Sequence, residues 1–177
     1  MQMKTDSSTI GLQSLFPGLE AWQDMHPQSR VWVYASDRPF TAQELATVVP
    51  HLEEFARQWA SHNIQLKSWA GILFDQFVVL IVDETRKDAS GCSIDTSVRY
   101  LQGLQDQLGI NLFDRWNFHF MEAQQVVTLT KDQFAEAYRK GRITDETLVF
   151  DHLVNTLEKL QNDWIKPVAH SWHQRFV

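Results

Sequence analysis

The chain has 177 residues, one cysteine and a formal net charge of −6, with 44% hydrophobic and 21% charged side chains. This length and composition are typical of a single globular domain with its own core. One cysteine excludes an intramolecular disulfide and a cysteine-based zinc site. The charges are mixed and no basic block occurs, so we expect neither nucleic acid nor an anionic membrane surface as a partner.

The chain is predicted to consist of an irregular lead-in, residues 1–29, packed on a single α+β domain, residues 30–177. The first residues lack the apolar run of a signal peptide. The longest apolar run, Phe77 to Val82, is too short to cross a bilayer. These features favour a cytoplasmic protein.

The first predicted elements are a strand and a long helix. Arg30 to Ala35 is β-branched and aromatic, which is typical of a strand. Thr41 and Glu44 have the spacing of a capping box, and apolar residues then recur at helical intervals. Pro50 interrupts this pattern, so we expect a helix that is kinked there and ends near Asn63.

Two further strands and a second helix follow. Residues 65–74 alternate loosely and predict strand two, and the continuously apolar residues 77–82 predict a central strand that is covered on both faces. After a loop of small residues, an apolar stripe from Ile94 to Leu108 predicts a helix that ends at Gly109.

The last third of the chain is predicted to contain strands at 116–121, 126–129 and 148–150 and helices at 130–141 and 154–164. The aromatic tail, 171–177, is expected to dock on the domain.

The predicted order through residue 122 is βαββαβ, which indicates a ferredoxin-like two-layer sandwich with extra C-terminal strands and helices. A mixed α+β sandwich with another strand order is the alternative. In the ferredoxin-like arrangement, Arg30 and His62 would lie near Asp83, Glu84 and the loop at Gly91.

The loop before the second helix is the first candidate site. Free amides at a helix N-terminus favour anions, Gly91 permits close approach, and Ser90 or Ser93 would add a hydroxyl group. The alternative is that Ser93 only caps the helix. Cys92 would be a nucleophile if His62 or His119 served as its base, but a small buried cysteine is the simpler interpretation.

The remaining ionisable residues give weaker signals. Asp83 and Glu84 follow the central strand, and Asp83 or His62 is a candidate base. His170 and His173 have a spacing that zinc ligands use, but neither pair has a third ligand fixed by spacing. We therefore expect no metal and no cofactor.

The segments Val31-Trp32-Val33-Tyr34, Val82-Asp83-Glu84 and Gly91-Cys92-Ser93-Ile94-Asp95 resemble an uncharacterised family of bacterial proteins. Residues 112–115, 143–150 and 171–175 are similar to that family as well. Members are sometimes labelled ABC-transporter ATPases, but this chain has no Walker A lysine loop and no ABC signature. The resemblance implies a compact cytoplasmic domain and supplies no established catalytic residues.

The sequence favours a non-enzymatic binding or interaction protein, with a small anionic ligand, a protein partner or a second copy of the chain as the candidate partners. The alternative is a small-molecule or anion-binding enzyme that uses residues 89–95. ATPase activity is not expected without a Walker A motif.

Overall fold

The computed structural model describes residues 22–177. The first half contains β1 (Arg30–Ala35), α1 (Ala42–Gln58), β2 (Ala60–Ser61), β3 (Ile64–Gln65), β4 (Lys67–Leu73), β5 (Phe77–Asp83) and α2 (Gly91–Leu108). The second half contains β6 (Asn117–Glu122), β7 (Gln125–Thr130), α3 (Lys131–Arg139), β8 (Leu148–Phe150), α4 (Leu157–Asp163) and β9 (Ile165–Pro167). Two short 3-10 helices, Val168–His170 and Trp172–Phe176, end the chain. The α+β class is thus confirmed.

The first sheet is antiparallel, with the order β1-β5-β4. Its central strand, β5, is buried at every position from Phe77 to Asp83. Such a strand must have cover on both faces, as its unbroken apolar sequence predicted.

Helix α1 begins as predicted and ends earlier than predicted. The side chain of Thr41 accepts from the Glu44 amide, and the Glu44 carboxylate accepts from the Thr41 amide, which completes the capping box. Pro50 lies inside the helix. The backbone leaves the helix at Trp59, and the predicted end at Asn63 is wrong because residues 60–65 form a small hairpin, β2–β3.

The second sheet has the order β7-β6-β8-β9. Strand β6 pairs with β7 and β8, whereas a ferredoxin-like sheet would place this strand beside β1. The predicted ferredoxin-like sheet is therefore not confirmed, although β1, β5 and β4 keep the order and directions of its first three strands.

The two sheets lie between two layers of helices. Helices α1 and α2 pack on one face of the first sheet, through core residues such as Leu52 and Leu101. The other face packs on the second sheet and α4, with Phe77 and Phe150 between them. Beyond the second sheet, Phe134 of α3 and the C-terminal Trp172 pack around Phe118. The tail therefore docks on the domain, as predicted.

Residues 22–29 form turns that lead into β1, and Trp22 is buried against Trp69. The rest of the predicted lead-in, residues 1–21, lies outside the described residues. Within residues 22–177, no helix combines the length and the apolar character that a membrane crossing requires.

Candidate functional site

The loop predicted to bind an anion is a well-capped helix start. The Ser90 hydroxyl group accepts from the Ser93 amide at 3.3 Å, so the capping residue is Ser90 and the predicted cap, Ser93, is wrong. Ser93 instead donates its own hydroxyl proton to the Ser90 carbonyl group at 2.8 Å. The Trp59 indole donates to the Ser93 carbonyl oxygen at 2.8 Å, which fastens this turn to the end of α1. Apart from the adjacent residues and the backbone of its own helix, no heavy atom would lie within 4 Å of a Cβ at Gly91.

Cys92 is exposed, and the expectation of a small buried cysteine is wrong. The two histidines considered as its base differ in burial. His62 is exposed in the β2–β3 turn, and His119 is buried where the two sheets meet.

Asp83 is surrounded by donors. Its carboxylate accepts from the Thr85 hydroxyl group at 2.7 Å, from Lys67 at 2.9 Å and from the backbone amides of Thr85 and His26. Burial alone would raise the pKa of this carboxyl group, but these hydrogen bonds hold its pKa well below the usual range. A carboxylate in this state is a poor proton acceptor.

Of the predicted cluster, Arg30 and Glu84 do come together, with a guanidinium nitrogen 3.9 Å from a carboxylate oxygen. Glu84 also accepts from the Ala89 amide at 3.1 Å, which ties it to the loop before α2. Among residues 22–177, no group of three or more His, Cys, Asp or Glu side chains is arranged to hold a metal ion.

A cleft of about 1030 Å3 lies along the outer edge of β1. Residues 112–115 and Asn117 form one wall, and the other wall comes from residues 152–156 with Trp172 and His173. A second cleft, of about 910 Å3, lies between the β4–β5 and β6–β7 turns, and Asp75 is the one ionisable residue in its lining. The cleft at β1 is the richer in polar and charged groups.

The backbone of β1 presents alternate residues to the two sides of the strand. Ser36 donates to the Gln76 carbonyl group, so the even-numbered residues bond to β5. The backbone N–H and C=O groups of the odd-numbered residues therefore face the cleft. Val31 donates to the Asn155 carbonyl oxygen and Asp37 to the Asn111 carbonyl oxygen, both at 3.1 Å.

Aromatic rings line both walls of the cleft. Tyr34 and Phe113 meet edge to face with centroids 5.4 Å apart. On the opposite wall, Trp172 stacks on His173 at 4.1 Å and donates its indole proton to Asp151 at 3.0 Å. These contacts hold the rings in place, so the aromatic walls are pre-formed.

A short chain of hydrogen bonds leads inward from the cleft. Trp164 donates its indole proton to Nδ1 of His152 at 3.3 Å, and Nε2 of His152 lies 3.1 Å from Nδ1 of His119. His173 lies beside them, with its Nδ1 3.2 Å from the Ser171 hydroxyl oxygen. Burial lowers the pKa of His119 and of His173 to about 4, and it lowers the pKa of His152 well below its usual range. The three rings are therefore neutral at pH 7.

The charged side chains at the cleft differ in how many bonding partners they have. Asp114 accepts from the Trp116 amide and the Asn117 side chain, and Glu84 is bonded as described above. Arg30 lies over the Trp32 ring at 4.8 Å. Arg115 is exposed and has no ion pair within the described residues, although its charge opposes the rise in the pKa of Tyr34 that burial causes.

Of the predicted ligand-binding residues, Arg30 lines this cleft, and so do Glu84 and His173, which the sequence raised as weaker candidates. The other predicted ligand-binding residues, Asp83, Ser90, Gly91, Cys92, Ser93 and His62, do not line it. The available signal was the aromatic outer strand, Trp32 to Tyr34, together with the C-terminal Trp172-His173 pair. Comparison with protein-family models, with curated proteins and with solved structures found no match.

Proposed function

We propose that this protein is a binding protein whose ligand occupies the cleft along β1. The observation that carries the proposal is the cleft itself, about 1030 Å3 in volume and lined on both sides by fixed aromatic rings. Ligand sites are commonly concave, largely pre-formed and apolar, with a few polar groups that orient the ligand.

Two exposed apolar side chains also support the cleft along β1 as the ligand site. Phe113 is 36% exposed and Leu153 is 69% exposed, and they lie on opposite walls of the cleft. Exposed large apolar side chains that share a concave surface are typical of binding sites.

The polar groups of the cleft favour binding over proton transfer. Both ring nitrogens of His152 have hydrogen-bond partners. Behind the lining residues, the Asp151 carboxylate is bonded to Trp172, Lys166 and the Leu153 amide. Groups engaged in this way orient the walls, whereas a general base needs a free acceptor within reach of the substrate. A binding role therefore accounts for more of this geometry.

A fragment screen by nuclear magnetic resonance tests the proposal on the full chain. We expect the fragments that bind to shift the amide signals of Val33, Ala35, Phe113 and Leu153 more than those of residues 91–95. Leu153→Trp narrows the cleft from an exposed position and should weaken these fragments at least fivefold.

Ile64→Trp is the matched control, because Ile64 is also an exposed apolar residue, 53% exposed, and does not line the cleft. It should leave fragment affinity unchanged. Fragments that shift residues 91–95 instead would support the alternative site at the helix start. An absence of fragment binding anywhere would contradict the proposal.

A further inference from the structure

Two loops of the chain already bond to the outer edge of β1, one near each end. Asn155 accepts from the Val31 amide, and Asn111 accepts from the Asp37 amide. Between these points lie Val33 and Ala35, whose N–H and C=O groups face the cleft by the alternation of an antiparallel pair. Within residues 22–177, no loop bonds to these two residues. Among the described residues, the edge is thus bonded near both ends and open in the middle.

We propose that this gap binds an extended segment of another protein, which pairs with Val33 and Ala35 as an added strand. The proposal rests on the binding function proposed above and names the class of ligand. Edge strands with open backbone groups bind peptides in this way, and the backbone hydrogen bonds supply affinity that depends little on the peptide sequence.

The spacing of the open groups favours a peptide. Val33 and Ala35 lie two residues apart, about 6.6 Å in a strand that rises about 3.3 Å per residue. A second strand offers complementary donors and acceptors at the same repeat. Three extended peptide residues therefore match both positions.

The walls indicate which side chains the peptide carries. Successive side chains of an added strand point to opposite faces of the sheet. Phe113 packs on Tyr34 at one face, and Leu153 lies on the opposite wall beside Val154, which packs in the core at the other face. We therefore expect adjacent apolar residues in the peptide, with an acidic residue placed near the exposed Arg115.

A second copy of this chain is a poor occupant. Its own β1 lies between the same two bonded loops, so two recessed edges would meet loop against loop before the strands came within about 4.8 Å, the spacing of paired strands. An extended segment that projects from its own domain enters the cleft without this obstruction.

The probe is a library of random heptapeptides displayed on phage, selected on the full-length protein. The best peptide is synthesised and added to isotope-labelled protein, and amide hydrogen exchange is measured. We expect the Val33 and Ala35 amides to exchange at least tenfold more slowly with the peptide bound. Trp32 and Tyr34 bond to β5 in either state and provide the internal reference.

Val33→Pro removes the outward N–H while it leaves the bonds of Trp32 and Tyr34 to β5, and proline is tolerated on edge strands in this orientation. It should weaken the selected peptide at least tenfold. The matched variant, Val33→Ala, keeps the N–H and measures the contribution of the side chain alone, so Val33→Pro should weaken the peptide several times more than Val33→Ala does. If Val33→Pro unfolds, the exchange measurement on the wild type decides alone.

Arg115→Gln tests the acidic residue of the peptide. Exposed ion pairs contribute little, so we expect roughly threefold weaker binding, with a smaller difference at high salt. Arg115→Lys should retain most of the affinity. The wild type should prefer an acidic peptide to its amide counterpart, and Arg115→Gln should lose this preference. Equal affinity of the wild type for the two peptides would overturn the predicted charge preference.

The peptide proposal fails if the selection enriches no peptide beyond those that a parallel selection on Val33→Pro enriches. It also fails if the peptide does not slow amide hydrogen exchange at Val33 and Ala35. Slow exchange of both amides in the free protein would overturn it too, because the edge would then already be covered. Binding that rises with protein concentration and accompanies dimer formation would point to a second copy and overturn it as well. If fragments bind the cleft while peptides do not, the binding function stands and the peptide assignment fails.

Discussion

In the layer between the two sheets, His119 and His152 share a hydrogen bond, with Nδ1 of His119 3.1 Å from Nε2 of His152. Trp164 donates to Nδ1 of His152, so the proton of the neutral His152 ring is on Nε2 and points to His119. The direction of the bond is therefore set by Trp164. Protonating either ring would put a charge in an apolar layer beside Phe77.

These histidines predict a loss of stability in mild acid. The folded-state pKa of His119 and of His173 is lowered to about 4, below the ordinary value of 6.5. The unfolded chain therefore binds protons first as the pH falls from about 6.5 towards 4, and each such proton subtracts about 1.4 kcal/mol per pH unit from the free energy of unfolding. Urea unfolding at pH 7, 6 and 5 measures this slope.

His173→Phe keeps an aromatic ring against Trp172 and removes one titrating group. We expect it to reduce the slope by close to one proton. Equal slopes for the wild type and His173→Phe would contradict the buried neutral state of His173.

Gly71 leaves room for the ring of Trp69 on β4. A Cβ at Gly71 would lie 2.5 Å from one carbon of that ring, and the ring in turn packs edge to face on Trp22. We expect Gly71→Ala to lower the free energy of unfolding by about 1–3 kcal/mol, because the ring must move from its place. Thermal unfolding gives the loss. The double variant Gly71→Ala/Trp69→Leu should show less than the sum of the two single losses, and additive losses would contradict the steric cause.

Much of this fold follows from local patterns. The apolar run at residues 77–82 predicted a central strand because only a strand covered on both faces is apolar at every position. The capping box at Thr41 and the glycine at 109 marked helix ends through chemistry that acts within one turn. Such signals need no knowledge of the rest of the chain.

The pairing of β6 could not be predicted in the same way. Its pairing with β7 is a local hairpin, but its other neighbour is β8, through Phe120 and Val149, and that choice is made by packing between segments that are distant in sequence. The cleft was missed for a related reason, since Val33, Phe113, Leu153 and Trp172 come together only after both sheets and the tail have assembled. The end of α1 was missed because the β2–β3 turn has His62 and Asn63 at positive φ, without a glycine to mark it.

The turn between β6 and β7 offers a route to higher stability. Ala123 and Gln124 have φ values of 49° and 64°, a left-handed backbone that glycine and asparagine adopt more readily. Two-residue hairpin turns of this kind favour Asn-Gly. We expect the double variant Ala123→Asn/Gln124→Gly to raise the free energy of unfolding by about 1 kcal/mol, as measured by urea unfolding. Gln124→Val is the opposite control and should destabilise, since a β-branched residue fits this conformation poorly. If Gln124→Val left the free energy of unfolding unchanged, the backbone strain assigned to this turn would be contradicted.

Asp83 is expected to stabilise the end of β5 as a charged, fully bonded carboxylate. It is 2% exposed and accepts from Lys67, Thr85 and the His26 amide. Asp83→Asn replaces one acceptor oxygen with a donor that faces other donors, and we expect it to cost about 2 kcal/mol at pH 7. Urea unfolding of the two proteins measures the difference.

The pH dependence of that difference separates charge from shape. The pKa of Asp83 is lowered in the folded protein, so its contribution is present above the unfolded value of about 4 and is lost as the pH falls below it. The difference in the free energy of unfolding between the wild type and Asp83→Asn should therefore become smaller below about pH 4. A gap at Asp83 that stays constant down to pH 3 would mean that shape, and not the carboxylate charge, stabilises this end of the sheet.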